Sequence, residues 1–327
     1  MADLKPESTD LALLDYERLQ EDCGLIDLST FEVIQLQGSD RKGWLQGQVT
    51  NDVRELEPGR SRSFCFCSAT GQIVAVVDAW ALPDSIVMIC PEASAAAVRQ
   101  RIVDMVILED VEAPALGSHV LVSLQGRSAS RRLGELVKVP ELDAGEVELE
   151  GSKFWCLRSP RTCFGGWDLC FAGPDDVALA RLRELFPTID HGAYDIARLE
   201  AGVPSLGSDI GAKTMPPELG PAFESRHVSY RKGCYMGQEV LMRIHSRGHT
   251  NKSWVGLLTD GPVEPGAVIT AGPGKEVGSV TSAAYSPRLG HFAAGMVRNE
   301  AALAGTSVEI VSERGNVFAE VRPFPLL

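Results

Sequence analysis

The apolar positions change their spacing along the chain, and those changes divide it into elements. Residues 11–22 set Leu11, Leu14 and Leu19 among acidic and polar side chains, which predicts a short helix ended by Gly24. Residues 25–28 then lead inward. Residues 31–36 alternate Phe, Val and Leu with polar side chains, the two-residue period of a half-buried strand. Ser39 or Asp40 can cap a following helix that carries Trp44 and Leu45. Residues 63–66 and 73–80 read as strands around a turn at Thr70-Gly71, and residues 86–89 as another strand. Residues 93–105 are alanine-rich and place Val98, Ile102 and Met105 on one helical face. Residues 120–124, 154–157 and 167–171 predict strands, with polar turns over 140–153 between them. Residues 177–186, opened by Asp175 or Asp176, carry a leucine stripe at 179, 182 and 185.

Residues 203–233 break this rhythm. Pro216, Pro217 and Pro221 forbid one continuous element, and a polar stretch of this length is tolerable if it lines a site. Beyond about residue 250, six short apolar runs are separated by Gly, Pro or Asn, the pattern of a small antiparallel barrel or sandwich. The chain therefore predicts an α+β body followed by an all-β unit.

Composition narrows the functional classes. With 31 Lys and Arg against 44 Asp and Glu, the formal net charge is -13, which argues against an extended basic groove and direct nucleic-acid binding. No secretory signal is read at the N-terminus, and the apolar runs are too short to span a bilayer, so a cytoplasmic location without membrane attachment is expected. Eight dispersed cysteines suit buried thiols better than a disulfide scaffold or a compact metal site, and no metal ligands are assigned. Nucleotide-binding glycine fingerprints and a Gly-x-Ser-x-Gly nucleophile elbow are absent.

The densest chemistry lies in Lys232-Gly-Cys-Tyr-Met-Gly-Gln-Glu239. Lys232 can meet an anion, Cys234 offers a nucleophile or metal ligand, and Tyr235 presents a flat ring with a hydroxyl. Val240, Leu241 and Ile244 follow at helical spacing, so Cys234 is expected just before or within a first helical turn, where amides favour a thiolate. A Gly-punctuated turn around a packed cysteine is the competing structural reading. Asp52 can orient a ligand amine or form an Asx turn. Arg198 and Glu200 would share one face of an extended segment, where the carboxylate could accept paired ring N–H groups; a surface ion pair or a helix terminus is the alternative. Arg226, His227, Arg231, Lys232, Arg243, His245, Arg247, His249 and Lys252 form the strongest linear basic cluster and could receive a polyanionic tail.

The segment 232–239 resembles the Lys-Gly-Cys-Tyr-x-Gly-Gln-Glu signature of the YgfZ family, folate-binding relatives of the glycine-cleavage T-protein. Leu45-Gln-Gly-Gln-Val-Thr-Asn-Asp-Val53, Arg198-Leu-Glu-Ala-Gly-Val-Pro204, Arg243, Ser246-Arg-Gly248 and Gly278-Ser-Val-Thr-Ser282 resemble further family segments in the same order. The resemblance implies a T-protein-like, three-domain cloverleaf. Two interwoven α+β domains would occupy residues 1–247, with an internal boundary near 110–150, and an antiparallel β-barrel residues 248–327. It further implies tetrahydrofolate or a derivative as ligand, and support of iron–sulfur enzymes or assembly proteins, including clusters of tRNA-modifying enzymes. By the same carry-over Glu200 would recognise the pterin and Cys234 would be the reactive or cluster-related thiol. Asp52, Arg198, Lys232, Tyr235, Arg243 and Arg247 would complete the folate site, the basic residues favouring the glutamyl tail. One departure stands out. Aminomethyl transfer in the T-protein relies on an aspartate in a strand carrying an acidic pair, and here Gly71-Gln-Ile-Val-Ala-Val-Val77 places Ala75 and Val76 at those positions. Asp78 lies two or three residues on, a shift that changes its position and possibly its face. Folate-dependent transfer with a non-standard site, and a scaffold with a vestigial pocket, are the alternative functions.

Overall fold

The computed structural model describes residues 6–272, 274–312 and 315–327, with the side chains of residues 6–9 and of Arg247 outside that description. Helix α1 (Pro6–Glu21) leads into β1 (Gly24–Asp27) and β2 (Phe31–Leu36). These two adjacent strands part company: β1 pairs antiparallel with β6 (Val120–Gln125), whereas β2 pairs with β5 (Ile86–Pro91). The chain thus contributes a strand to one sheet before building the other.

The first sheet has the order β2-β5-β4-β3, with β3 at Ser61–Cys67 and β4 at Ile73–Ala81. Helices α2 (Arg41–Gln48) and α3 (Glu92–Met105) belong to this unit, whose apolar core gathers Trp44, Leu45, Phe64, Phe66, Val77, Val98 and Ile102. The second sheet has the order β1-β6-β9-β8-β7, with β7 at Ala144–Leu149, β8 at Ser152–Arg158 and β9 at Gly166–Phe171. Short helix α4 (Ala129–Gly134) and α5 (Val177–Leu185) belong with it, and Asp176 caps α5 by accepting from the amides of Ala178 and Leu179. A third core, including Tyr16, Ile26, Cys65, Cys67, Trp80, Ile89, Leu157 and Cys170, fills the space between the sheets.

Helix α6 (His191–Glu200), a 3₁₀ turn (Pro216–Leu219), α7 (Pro221–His227) and α8 (Gln238–Arg247) lead to the last unit. There β10 (Lys252–Thr259), β11 (Val268–Ala271), β12 (Lys275–Ser286), β13 (Gly290–Arg298), β14 (Ser307–Ser312) and β15 (Gly315–Arg322) close into an antiparallel barrel of order β10-β13-β12-β11-β14-β15. Closure removes the unpaired edges that short strands would otherwise expose. The α+β architecture and terminal barrel match the expectation. Two elements differ from it. The polar turn region contains edge strand β7, whose Glu-Val-Glu-Leu alternation suits a half-solvated position. Arg198 and Glu200 lie not on an extended segment but at a helix terminus, the alternative reading, because Asp190 caps the Gly192 amide and Ala193, Ile196 and Ala197 form a buried stripe of a helix over residues 191–200.

Candidate functional site

Strand alternation on β4 builds the centre of the molecule. Ala75, Val77 and Ala79 face the core of the first unit, so Val76, Asp78 and Trp80 face the space between the sheets. Beside the third core that space leaves a cavity of three adjoining compartments, of about 520, 190 and 470 Å³. Asp78 lines all three. The first compartment is polar and opens beside Ser61, Ser63, Asn51 and Arg226. The second lies under Gly202, Pro204, Phe223 and His227. Phe31, Ile89, Pro91, Tyr194, Val203 and Leu206 give the third its apolar wall.

The charged groups around the cavity come from distant parts of the chain. Ser63 faces Asp78 in the β3–β4 register and donates its hydroxyl to Oδ1 at 2.5 Å. Arg226 donates from Nη2 to the same oxygen at 3.1 Å and from Nε to the Ser63 hydroxyl at 3.1 Å. Burial opposes ionisation of Asp78, but Arg226, Arg161 and the Ser63 bond outweigh it and hold the carboxyl below its ordinary range. Arg161 is buried, forks onto Asp168 with bonds of 2.6–3.0 Å, and lies 4.5 Å from the centre of the Phe31 ring. Asp168 also accepts from Ser123 at 2.7 Å, so the guanidinium is fixed from behind. His227 stacks on Phe223 with ring centres 3.9 Å apart, its Nδ1 is 2.8 Å from the Phe223 carbonyl oxygen, and burial brings its pKa down to about 4.

The residues singled out by sequence do not assemble into this one site. Arg198 does line the third compartment, where it donates to Asp195 at 2.6 Å and to Asp209 at 3.2 Å. Glu200 follows it by two residues on a helix, which turns it roughly 200° away. Its fully buried carboxylate instead accepts from Tyr16 at 2.7 and 3.0 Å and from Ser286, joining α1, α6 and the barrel. Cys163 lies 3.8 Å from the same carboxylate, and burial, followed by that negative charge, raises its thiol to about 11. The shared face expected for Arg198 and Glu200 is therefore replaced by two opposite helix faces. Glu200 is a clasp between units and lines none of the cavities described.

Lys232 is likewise turned inward. Its ammonium donates to the carbonyls of Gln46 at 2.7 Å, Asn51 at 2.9 Å and Val49, and lies 4.9 Å from the Tyr235 ring centre. Those carbonyls leave it no free donor for a glutamyl tail. Burial draws its pKa down to about 8, with Asp52 opposing the shift. Tyr235 is buried and its hydroxyl has no hydrogen-bond partner among the described residues. Burial, with Cys67 and Cys65 nearby, pushes that phenol up. Gly237 adopts φ +86°, and an added Cβ would lie 2.5 Å from the Ser68 carbonyl oxygen, so the segment packs onto the β3–β4 turn through this glycine. Cys234 is exposed and free, four residues before α8 and outside the cavity linings.

Asp52 completes an Asx-type turn, accepting from the Arg54 amide at 3.0 Å and pairing with its guanidinium, which holds the carboxyl near 2. The linear basic cluster is dispersed in space. Arg226 faces the cavity, His227 is buried beneath it, His245 stacks on Tyr230, Lys252 approaches Glu218 at 4.0 Å, and Arg231 and Arg243 are exposed. The Arg247 side chain lies outside the described residues. Sequence reasoning missed Arg161, Ser63 and Tyr194 as site residues. The one available signal was the β4 alternation, which puts Asp78 on the face of Val76.

No helix among the described residues is long and apolar enough to cross a membrane. The GCVT N-terminal domain matches residues 6–224, and the glycine cleavage T-protein C-terminal barrel domain matches residues 252–327. The chain is 28% identical to an aminomethyltransferase of Synechococcus sp. (strain RCC307), over 95% of this chain and 90% of that one. It is 26% identical to an aminomethyltransferase of Geobacillus kaustophilus, over 95% and 89%, and 24% identical to a putative chloroplastic transferase of Arabidopsis thaliana, over 91% and 70%. Its fold superposes on the glycine cleavage system aminomethyltransferase T of Bartonella henselae with a TM-score of 0.82, at 21% identity, covering 97% of this chain and 89% of that one. With both halves of the pattern matched in order, the chain belongs to the GCVT family and carries that family's C-terminal barrel.

Proposed function

We propose that this chain is a folate-binding, aminomethyltransferase-like protein whose ligand, tetrahydrofolate or a derivative, occupies the central cavity. The observation that carries this reading is the third compartment. Its volume of about 470 Å³ falls in the range of small-molecule sites, and Phe31 and Tyr194 offer ring surfaces beside the fixed Arg161. Family membership supports it, as do relatives named aminomethyltransferase that match over 90% and 89% of their own length. The chemistry at β4 is non-standard: Val76 lines the cavity where a carboxylate is expected and cannot orient an amine.

Calorimetric titration with tetrahydrofolate under reducing conditions tests the reading. Saturable one-to-one binding is expected, abolished by Val76→Trp, which fills the cavity, and retained by Cys234→Ala. Absence of binding to the wild-type protein sinks it.

A finer reading places this binding in the service of iron–sulfur cluster assembly or repair, including clusters of tRNA-modifying enzymes in the cytoplasm. It is supported by Cys234, which the signature segment leaves exposed while Lys232, Tyr235 and Gly237 do structural tasks. Loss of cluster-enzyme activity is then expected when Cys234→Ala replaces the wild type in a null strain. Full complementation by that variant contradicts the finer reading and leaves folate binding intact.

A further inference from the structure

We propose that Asp78 is the specificity-determining residue of the cavity, selecting a reduced pteridine ring by accepting an N–H that the oxidised ring lacks. This rests on the folate reading above. Among the described residues Asp78 is the one side chain that borders all three compartments, so a ligand extending from the apolar third compartment toward the open first one passes its carboxylate.

The geometry of the carboxylate sets what it can accept. Both of its protein donors, Ser63 Oγ and Arg226 Nη2, use Oδ1, and Oδ2 has no protein donor among the described residues. A half-shielded carboxylate oxygen in this position is completed by a donor from the ligand. Arg226 and Arg161 favour the ionised form, so the group accepts and does not donate.

Reduced and oxidised pteridines differ in this property. Ring nitrogens that carry N–H in the tetrahydro form carry only a lone pair in the aromatic form. An ionised carboxylate accepts from the first and repels the second. A site built around a hydrogen bond discriminates strongly against the analogue that lacks the group. Asp78 lies two residues beyond Val76, roughly 6.6 Å along the strand but on the same face. Arg226 acts as a positioning residue, since its two bonds hold both Asp78 and Ser63.

Anaerobic titrations of the full chain with tetrahydrofolate and with folic acid read the inference as a ratio of affinities. The wild-type protein is expected to prefer tetrahydrofolate by about tenfold or more, the scale of one charge-assisted hydrogen bond. Asp78→Asn should collapse that preference to within about twofold, because the amide can turn a donor to a ring lone pair. Asp78→Glu should recover part of it, and Arg226→Gln should reduce it. Thermal melts of each variant establish that the fold is retained. Equal wild-type affinity for the two ligands overturns the inference, as does a parallel loss of both in Asp78→Asn, which marks a structural role. Those outcomes leave folate binding standing, whereas a wild-type protein that binds neither ligand removes both readings together.

Discussion

The segment 232–239 and the central cavity are two regions that sequence and structure rank in opposite order. In the sequence the segment is the richest eight residues, and the cavity is nearly invisible. In the structure Lys232 tethers the turn after α2, Tyr235 fills a core, and Gly237 allows contact with the β3–β4 turn. Only Cys234 is left with an exposed reactive group. The cavity instead assembles Ser63, Asp78, Arg161, Tyr194 and Arg226 from the first sheet, the loop between β8 and β9, and two helices. Chemical variety in a short stretch can thus serve packing, and a site can be made from residues that are unremarkable one at a time.

The sharpest way to break this comparison is to remove the Lys232 tether. Lys232→Met leaves three carbonyls without their donor and should cost about 4 kcal/mol of unfolding free energy in urea titrations. A loss below about 1 kcal/mol would return Lys232 to the list of ligand contacts.

The buried histidine beneath the cavity gives the next largest effect. The unfolded chain takes up a proton at His227 near 6.5, while the folded chain resists it until about 4. Stability at this site is full above 6.5, falls as pH drops across that window, and levels off below it, a change of about 3 kcal/mol. Comparing pH-dependent melts of wild type and His227→Gln isolates the contribution. Identical slopes would show that the ring titrates alike in the folded and unfolded chains.

Gly237→Ala ranks third. It forces a side chain into a left-handed backbone position and against the Ser68 carbonyl, and should destabilise by about 2 kcal/mol in the same urea assay. Cys234→Ala should change stability by less than about 0.5 kcal/mol, because the thiol is exposed and outside the cores. Together these two variants separate the scaffolding part of the segment from its free thiol. A large Cys234→Ala loss would merge them again.

Much of the fold was legible because local pattern and packing agree. The two-residue alternation of β2 and β4, the alanine-rich face of α3 and the six short runs of the barrel each appear where their side-chain spacing places them. At the C-terminal end of α6, Arg198 and Glu200 in isolation fit an extended segment as well as a helix terminus. The buried stripe at Ala193, Ile196 and Ala197 decides for the helix. Burial of Lys232 was not legible, because its acceptors lie more than 180 residues away. Asp78 was legible in principle: alternation alone puts it beside Val76, and what the sequence lacks is the Ser63 register and the Arg226 contact that make it a site.

The most direct measurement is a crystal structure of the protein grown with tetrahydrofolate under reducing conditions. The pteridine is predicted between Phe31, Tyr194 and Val203, with a ring N–H directed at Asp78 Oδ2. Ligand density against Cys234, with the cavity empty, would contradict the central claim.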